Sequence, residues 1–96
     1  MRILILEDNV HLAHGLKKTL VKEGYAVDVC HDGLDGITIL DYQEYDLLLL
    51  DLGLPGIDGI DILKKIRKKN QNLPVIIISA RHQLDQRILG LEKWCR

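Results

Sequence analysis

The chain has 96 residues, of which 47% are hydrophobic and 28% charged, which is enough for one domain with an apolar core and too few for two. Its 13 Lys and Arg residues nearly balance its 14 Asp and Glu residues, so this fragment lacks the basic surface that nucleic-acid binding requires. Two cysteines are too few for a disulfide framework, and no apolar run is long enough for a signal peptide or a membrane span. The composition predicts a cytoplasmic globular domain that binds neither nucleic acid nor membrane.

Short aliphatic runs alternate with longer amphipathic stretches along the chain. Four strands are predicted, over residues 3–6, 26–30, 47–50 and 75–78. Four helices are predicted, over residues 10–23, 33–42, 59–69 and 83–93. Continuous apolar runs of this length are typical of strands buried on both faces. The alternation therefore predicts an α/β fold, with a parallel sheet that is covered by helices on both sides.

The ends and faces of these helices carry recognisable signals. Apolar stripes that can face the sheet are predicted at Leu12, Leu16 and Leu20 in the first helix and at Leu34, Ile37 and Leu40 in the second. Gly24 is predicted to stop the first helix. Asp32 and Asp58 stand where the N-caps of the second and third helices are expected.

Acidic residues directly follow two of the predicted strands. Glu7 and Asp8 come after the first strand, and Asp51 comes after the third. Ligands of an open parallel sheet bind beyond the carboxyl ends of its strands, so the three carboxylates meet if these two strands are neighbours. Ser79 follows the fourth strand, and a functional role for it depends on its lying beside Asp51 at the same edge.

Three carboxylates at one edge repel one another unless a cation lies between them. An oxygen-only donor set that needs water to complete its shell favours Mg²⁺ over Zn²⁺. A metal held in this way would also neutralise a phosphoryl group and orient one acid as a nucleophile. Asp51 is the predicted nucleophile, because it ends the most apolar run of the chain. The alternative is that these acids only solubilise loops or cap helices, an interpretation that suits Glu7 or Asp8 alone better than all three together.

Three segments, in this order, resemble the receiver domain of bacterial two-component response regulators. They are Glu7-Asp8-Asn9, Asp51-Leu52-Gly53-Leu54-Pro55-Gly56-Ile57-Asp58-Gly59 and Ile78-Ser79-Ala80-Arg81. The resemblance extends to about Glu92. The residues from Asp51 to Pro55 are similar to the branch of the family that carries a C-terminal winged-helix DNA-binding domain.

The resemblance implies a role for each matching residue. Asp51 would accept a phosphoryl group from a phosphohistidine on a sensor histidine kinase. Asp8 and Asp51 would bind Mg²⁺ directly, Gly53 would bind it through its backbone carbonyl, and Glu7 would bind it through water. Ser79 would hydrogen-bond the phosphoryl group and couple phosphorylation to movement of the following loop.

The implied fold is flavodoxin-like (CheY-like), a doubly wound parallel sheet of strand order 2-1-3-4. The family continues into a fifth strand and a fifth helix, and we expect that this chain lacks both, together with the DNA-binding domain. Residues 75–78 would then form an exposed, apolar edge strand, and such edges recruit other chains. We therefore expect self-association through this edge or through the fourth helix. Gly59 is expected to permit close packing at the start of the third helix.

Residues 92–96 suggest how such a shortening could arise. One extra adenine in a plausible receiver coding sequence would yield Glu-Lys-Trp-Cys-Arg followed by a stop codon, which matches these residues. A deliberately shortened gene is the alternative. Sequencing the gene beyond the stop codon would distinguish the two, because only the first predicts a shifted frame that encodes the remaining family motifs.

Other functions fit the residues less well. A shortened receiver could serve only as a kinase-docking or dimerisation module, without accepting a phosphoryl group. A haloacid-dehalogenase-like phosphatase would need a second Asp where Gly53 stands. The four histidines share no ligand spacing with acids or cysteines, and we expect each to lie at the surface or partly buried: His11, His14, His31 and His82.

Overall fold

The computed structural model describes residues 1–54, 58–69 and 72–78. In chain order the elements are β1 (Arg2–Leu6), α1 (Val10–Lys22), β2 (Ala26–Cys30), α2 (Gly33–Tyr42), β3 (Leu47–Leu50), α3 (Gly59–Lys69) and β4 (Val75–Ile77). The strands are parallel and lie in the order β2-β1-β3-β4. The predicted strand order is confirmed. The helix predicted over residues 83–93 lies outside the described residues.

The sheet is buried on both faces, as its uninterrupted apolar strands predict. Alternate strand residues, such as Leu4 and Leu6, pack with α2 and α3 in one cluster. The residues between them, such as Ile3 and Ile5, pack with α1 in the other cluster. This two-sided burial holds the strand ends in fixed positions, and the strand ends carry the acidic residues.

Three predicted element ends differ slightly from the structure. β1 begins one residue earlier than predicted, and α1 ends at Lys22 because Gly24 adopts a left-handed conformation with φ of 95°. β4 ends at Ile77, although the N–H of Ile78 still donates to the carbonyl of Leu50 at 2.8 Å. The pairing therefore continues one residue past the strand, as the apolar run suggested.

The prediction that Leu12 and Leu34 face the sheet is wrong. Leu12 is 42% exposed, since the buried face of α1 is centred on Ala13, one residue and about 100° further round the helix. Leu34 is 55% exposed, because α2 approaches the sheet through Gly36, where a Cβ would overlap the side chain of Leu6. Both helices contact the sheet through a small residue, Ala13 in α1 and Gly36 in α2. A prediction based on large apolar residues does not identify such contacts.

The predicted N-caps of α2 and α3 are confirmed. The side chain of Asp32 accepts from the N–H of Leu34 at 2.7 Å, and that of Asp58 accepts from the N–H of Ile60 at 2.9 Å. Both carboxylates satisfy backbone donors that would otherwise lack partners in the first helical turn. These two acids therefore have structural roles, which separates them from the acids after β1 and β3.

Gly59 brings the start of α3 against the segment after β3. A Cβ at this position would lie 2.5 Å from the Cα of Leu52, and the N–H of Gly59 donates to the carbonyl of Leu52 at 3.2 Å. A side chain can enter only if one of the two backbones moves. The expectation of close packing at Gly59 is confirmed.

Replacing Gly59 should therefore destabilise the fold, whereas replacing a glycine in open space should not. We expect Gly59→Ala to lower the free energy of unfolding by about 1–3 kcal/mol through overpacking. Gly15, inside α1, has no atom within 4 Å of a built Cβ, so Gly15→Ala should raise it by about 0.5–1 kcal/mol. Urea unfolding of both variants is the measurement, and equal changes in the two would contradict the packing argument.

Candidate metal centre

The acidic residues after β1 and β3 emerge next to each other. Leu6 pairs with Leu50 in the parallel register, and the N–H of Asp51 donates to the carbonyl of Leu6 at 2.9 Å. Strand pairing thus continues as far as the residues that follow each strand. Carboxylate oxygens of Glu7, Asp8 and Asp51 all lie within 4.8 Å of one another. The structure brings the three predicted acids into one cluster.

Two members of the cluster are buried, and the third reaches solvent. Glu7 and Asp51 are each 3% exposed, whereas Asp8 is exposed. Burial, together with the neighbouring Asp51 and Asp8 carboxylates, raises the pKa of Glu7 to about 7 against the lowering effect of the Asn9 backbone N–H. The main electrostatic property of this edge is therefore that burial and neighbouring carboxylates disfavour the charged form of Glu7.

The donor chemistry of this cluster fits a hard divalent cation. All three ligands are carboxylate oxygens, the donors that Mg²⁺ prefers, and the exposed Asp8 leaves a side open to water. A cation at this position would offset the repulsion that raises the pKa of Glu7. The residues present can therefore hold Mg²⁺ together with water ligands.

The simpler interpretation of these acids, as helix caps or solubilising residues, does not fit the geometry. The cap of α1 is Asn9, whose side-chain oxygen accepts from the N–H of Leu12 at 3.0 Å. Glu7 is too buried to solubilise a loop. Asp51 is equally buried, and its Oδ1 accepts from the N–H of Gly53 at 3.1 Å. That bond places Gly53 next to the cluster.

One predicted site residue is not described. Ser79 lies outside the described residues, so its predicted role stays a prediction. The sequence analysis named Asn9 and His31 but predicted no contact of either residue with the cluster. The N–H of Asn9 donates to Oε2 of Glu7 at 3.0 Å, and Nδ1 of His31 lies 2.8 Å from the carbonyl oxygen of Glu7. Position 31 directly follows β2, which is the signal that could have found it.

The raised pKa of Glu7 predicts a specific pH dependence. The folded, metal-free protein keeps a proton on Glu7 up to about pH 7, whereas the unfolded chain releases it near the ordinary value of 4.5. The contribution of Glu7 to stability should therefore fall as pH rises through this window and level off above it. A cation competes with the same proton, so its apparent affinity should fall as pH drops below about 7.

Isothermal titration with Mg²⁺ across this pH range checks the expectation. Glu7→Gln is the matched control, because an amide of the same shape does not titrate. We expect the pH dependence below about 7 to weaken in this variant. Affinities that vary with pH equally in both proteins would show that another group is responsible.

The fold and the cluster together define a class of protein: a doubly wound parallel α/β domain with an acidic edge beyond its first and third strands. The family model of the response regulator receiver domain matches residues 3–93. The chain belongs to the response regulator receiver family. In that family, phosphorylation by sensor histidine kinases and an acidic Mg²⁺ pocket are typical.

The chain is also similar to individual relatives. It is 44% identical over 91 residues to the transcriptional regulatory protein TctD of Salmonella typhimurium, covering 95% of this chain and 41% of TctD. It resembles the receiver domain of the Francisella response regulator 1452, with a TM-score of 0.88 and 32% identity. The match covers 98% of this chain and 78% of the Francisella chain. It also resembles the response regulator TrrA of Thermotoga maritima, which was solved in complex with Mg²⁺-BeF, with a TM-score of 0.84 and 30% identity. The match covers 93% of this chain and 77% of the TrrA chain.

The matches leave most of the curated relatives' length uncovered, since the chain spans about 41% of TctD. None of the helices in the described ranges is long and apolar enough to cross a membrane.

Proposed function

We propose that this chain is a phosphoacceptor receiver domain in which Asp51 takes a phosphoryl group from a sensor histidine kinase. One observation carries the proposal: Glu7, Asp8 and Asp51 form one cluster at the carboxyl edge, with Asp51 buried at the end of β3. The matches to transcriptional regulatory proteins support a role in two-component signalling. The cytoplasm, where kinase domains and genes are accessible to such regulators, is the proposed location.

Each residue of the cluster has a defined part in the proposed reaction. A carboxylate oxygen of Asp51 attacks the phosphorus of the phosphohistidine, the bond from phosphorus to the imidazole nitrogen breaks, and the imidazole leaves with its electron pair. Asp8 and Asp51 would hold Mg²⁺ through their carboxylates, Gly53 would bind it through its backbone carbonyl, and Glu7 would bind it through water. The cation, when bound, neutralises the phosphoryl oxygens during transfer.

The hydrogen bonds of Asp51 support its assignment as the nucleophile. Its N–H is tied to Leu6, and its Oδ1 accepts from the N–H of Gly53. The carboxylate is therefore held in one orientation beside Glu7 and Asp8, which reduces the cost of orienting it for attack. We assign to Ser79 the hydrogen bond with the phosphoryl group, on the resemblance to the family.

Incubation with Mg²⁺ and a small phosphodonor tests the proposal without a partner kinase. We expect intact-mass measurement to show one added phosphoryl group, and chelation of Mg²⁺ to prevent its addition. A folded protein that stays unlabelled would favour the second candidate, a docking module that binds the kinase without accepting phosphate. The TrrA relative, solved with Mg²⁺-BeF, supports the first candidate.

We also propose that copies of the chain associate with one another. Within the described part of the sheet β2 and β4 are the two outer strands, and Ile76 on β4 is 46% exposed. A β-branched apolar residue on an outer strand favours pairing with a second chain. Light scattering at micromolar concentration should therefore show a species larger than a monomer, and a uniform monomer would contradict this proposal.

A further inference from the structure

Both polar backbone groups of Glu7 are bound by the end of β2. Regular pairing of β1 with β2 ends at Leu6 and Cys30. Beyond it, the N–H of Glu7 donates to the carbonyl of Cys30 at 3.1 Å, and the carbonyl of Glu7 lies 2.8 Å from Nδ1 of His31. Where the pairing of β1 with β2 ends, the side chain of His31 therefore provides the partner for the backbone carbonyl of Glu7, the first residue of the acidic cluster.

The chemistry of this contact fixes the direction of the hydrogen bond. A carbonyl oxygen can only accept, so Nδ1 of His31 must carry the proton and donate. In the neutral ring, Nε2 is then the unprotonated nitrogen. The contact therefore selects one tautomer of His31, and this tautomer can be measured directly.

The same peptide unit determines where two metal ligands lie. The carbonyl of Glu7 belongs to the peptide bond that joins Glu7 to Asp8, so a bond to this oxygen restrains rotation of that peptide. Rotation would move Asp8, which is exposed, relative to Asp51, which is buried. The N–H of Asn9 meanwhile holds Oε2 of Glu7 at 3.0 Å, so the segment is restrained on both sides of Asp8.

We propose that His31 is a positioning residue for the metal site, and that it fixes the Glu7-Asp8 peptide through its Nδ1–H. This inference rests on the proposed function, since it assumes that the cluster binds Mg²⁺. His31 itself touches no carboxylate oxygen in this role. Residues that orient metal ligands from outside the coordination shell typically change metal affinity by about 10- to 100-fold when they are removed.

Three substitutions of His31 distinguish the effect of losing its hydrogen bond to Glu7 from the effect of losing the volume of its ring. His31→Asn keeps a donor on an atom bonded to Cγ, the position of Nδ1. His31→Gln moves the donor one bond further out, and His31→Ala removes it. We expect the Kd for Mg²⁺ to rise about 10-fold in the Ala and Gln variants and to stay within about threefold of wild type in the Asn variant. Rescue by Asn but not Gln would not arise from loss of packing alone.

The tautomer gives a second readout in metal-free protein. Nitrogen-15 NMR of the neutral His31 ring should show the proton on Nδ1, and a proton on Nε2 would overturn the proposal. Unchanged Mg²⁺ affinity in a folded His31→Ala variant would also overturn it, while leaving the proposed function intact. A wild-type protein that binds no Mg²⁺ would contradict the proposed function and the positioning role together.

Discussion

Asp51→Asn should abolish phosphorylation while leaving the fold in place. An amide is not a nucleophile towards phosphorus, and the substitution keeps the size of the side chain at a position that is 3% exposed. We expect labelling by a small phosphodonor in the presence of Mg²⁺ to fall at least about 100-fold. Intact-mass measurement after a fixed incubation reports the labelled fraction.

The control for this substitution is an exposed aspartate away from the cluster. Asp61 lies in the first turn of α3 and is exposed, so Asp61→Asn changes the net charge by the same amount without touching the site. It should be labelled like the wild type. If Asp51→Asn is labelled as fast as Asp61→Asn, the phosphoryl group is on another residue and Asp51 is not the acceptor.

Asp8→Asn should remove the stabilisation that Mg²⁺ gives to the folded protein. A ligand that binds only the folded state at 100 times its Kd stabilises it by about 2.7 kcal/mol. Asp8 contributes one of the three clustered carboxylates and is the exposed member. Without it, the increase in free energy of unfolding at the same Mg²⁺ concentration should drop below about 0.5 kcal/mol.

Urea unfolding with Mg²⁺ and with chelator measures this difference for each variant. Asp35→Asn is the matched control, because Asp35 is an exposed acid in the first turn of α2 and lies outside the cluster. It should keep the full Mg²⁺ effect. Equal loss in both variants would show that the cation acts through general charge screening and not through a site.

Most of the architecture could be predicted because it depends on apolar periodicity and strand ends. Four short apolar runs predicted the strands, and the rule that parallel strands share a carboxyl edge predicted that Glu7 and Asp51 would meet. The N-caps at Asp32 and Asp58 follow from the same local chemistry. Each of these features is set by residue type and by position along the chain.

The remaining features depend on contacts that residue type does not reveal. The orientation of α1 and α2 is set by Ala13 and Gly36, where absence of bulk permits close approach. The contact of His31 with Glu7 is made to a backbone carbonyl, which every residue carries. The raised pKa of Glu7 follows from burial at the strand end and from two neighbouring charges, and burial of an acid is not visible in the sequence.

The central claim is that one hard cation lies among Glu7, Asp8 and Asp51. Anomalous diffraction from crystals containing Mn²⁺, an octahedral stand-in for Mg²⁺ with the same oxygen preference, locates such an ion without relying on activity. We predict one strong peak per chain, bound directly by carboxylate oxygens of Asp8 and Asp51. A peak bound elsewhere, with these carboxylates turned away from one another, would contradict the claim.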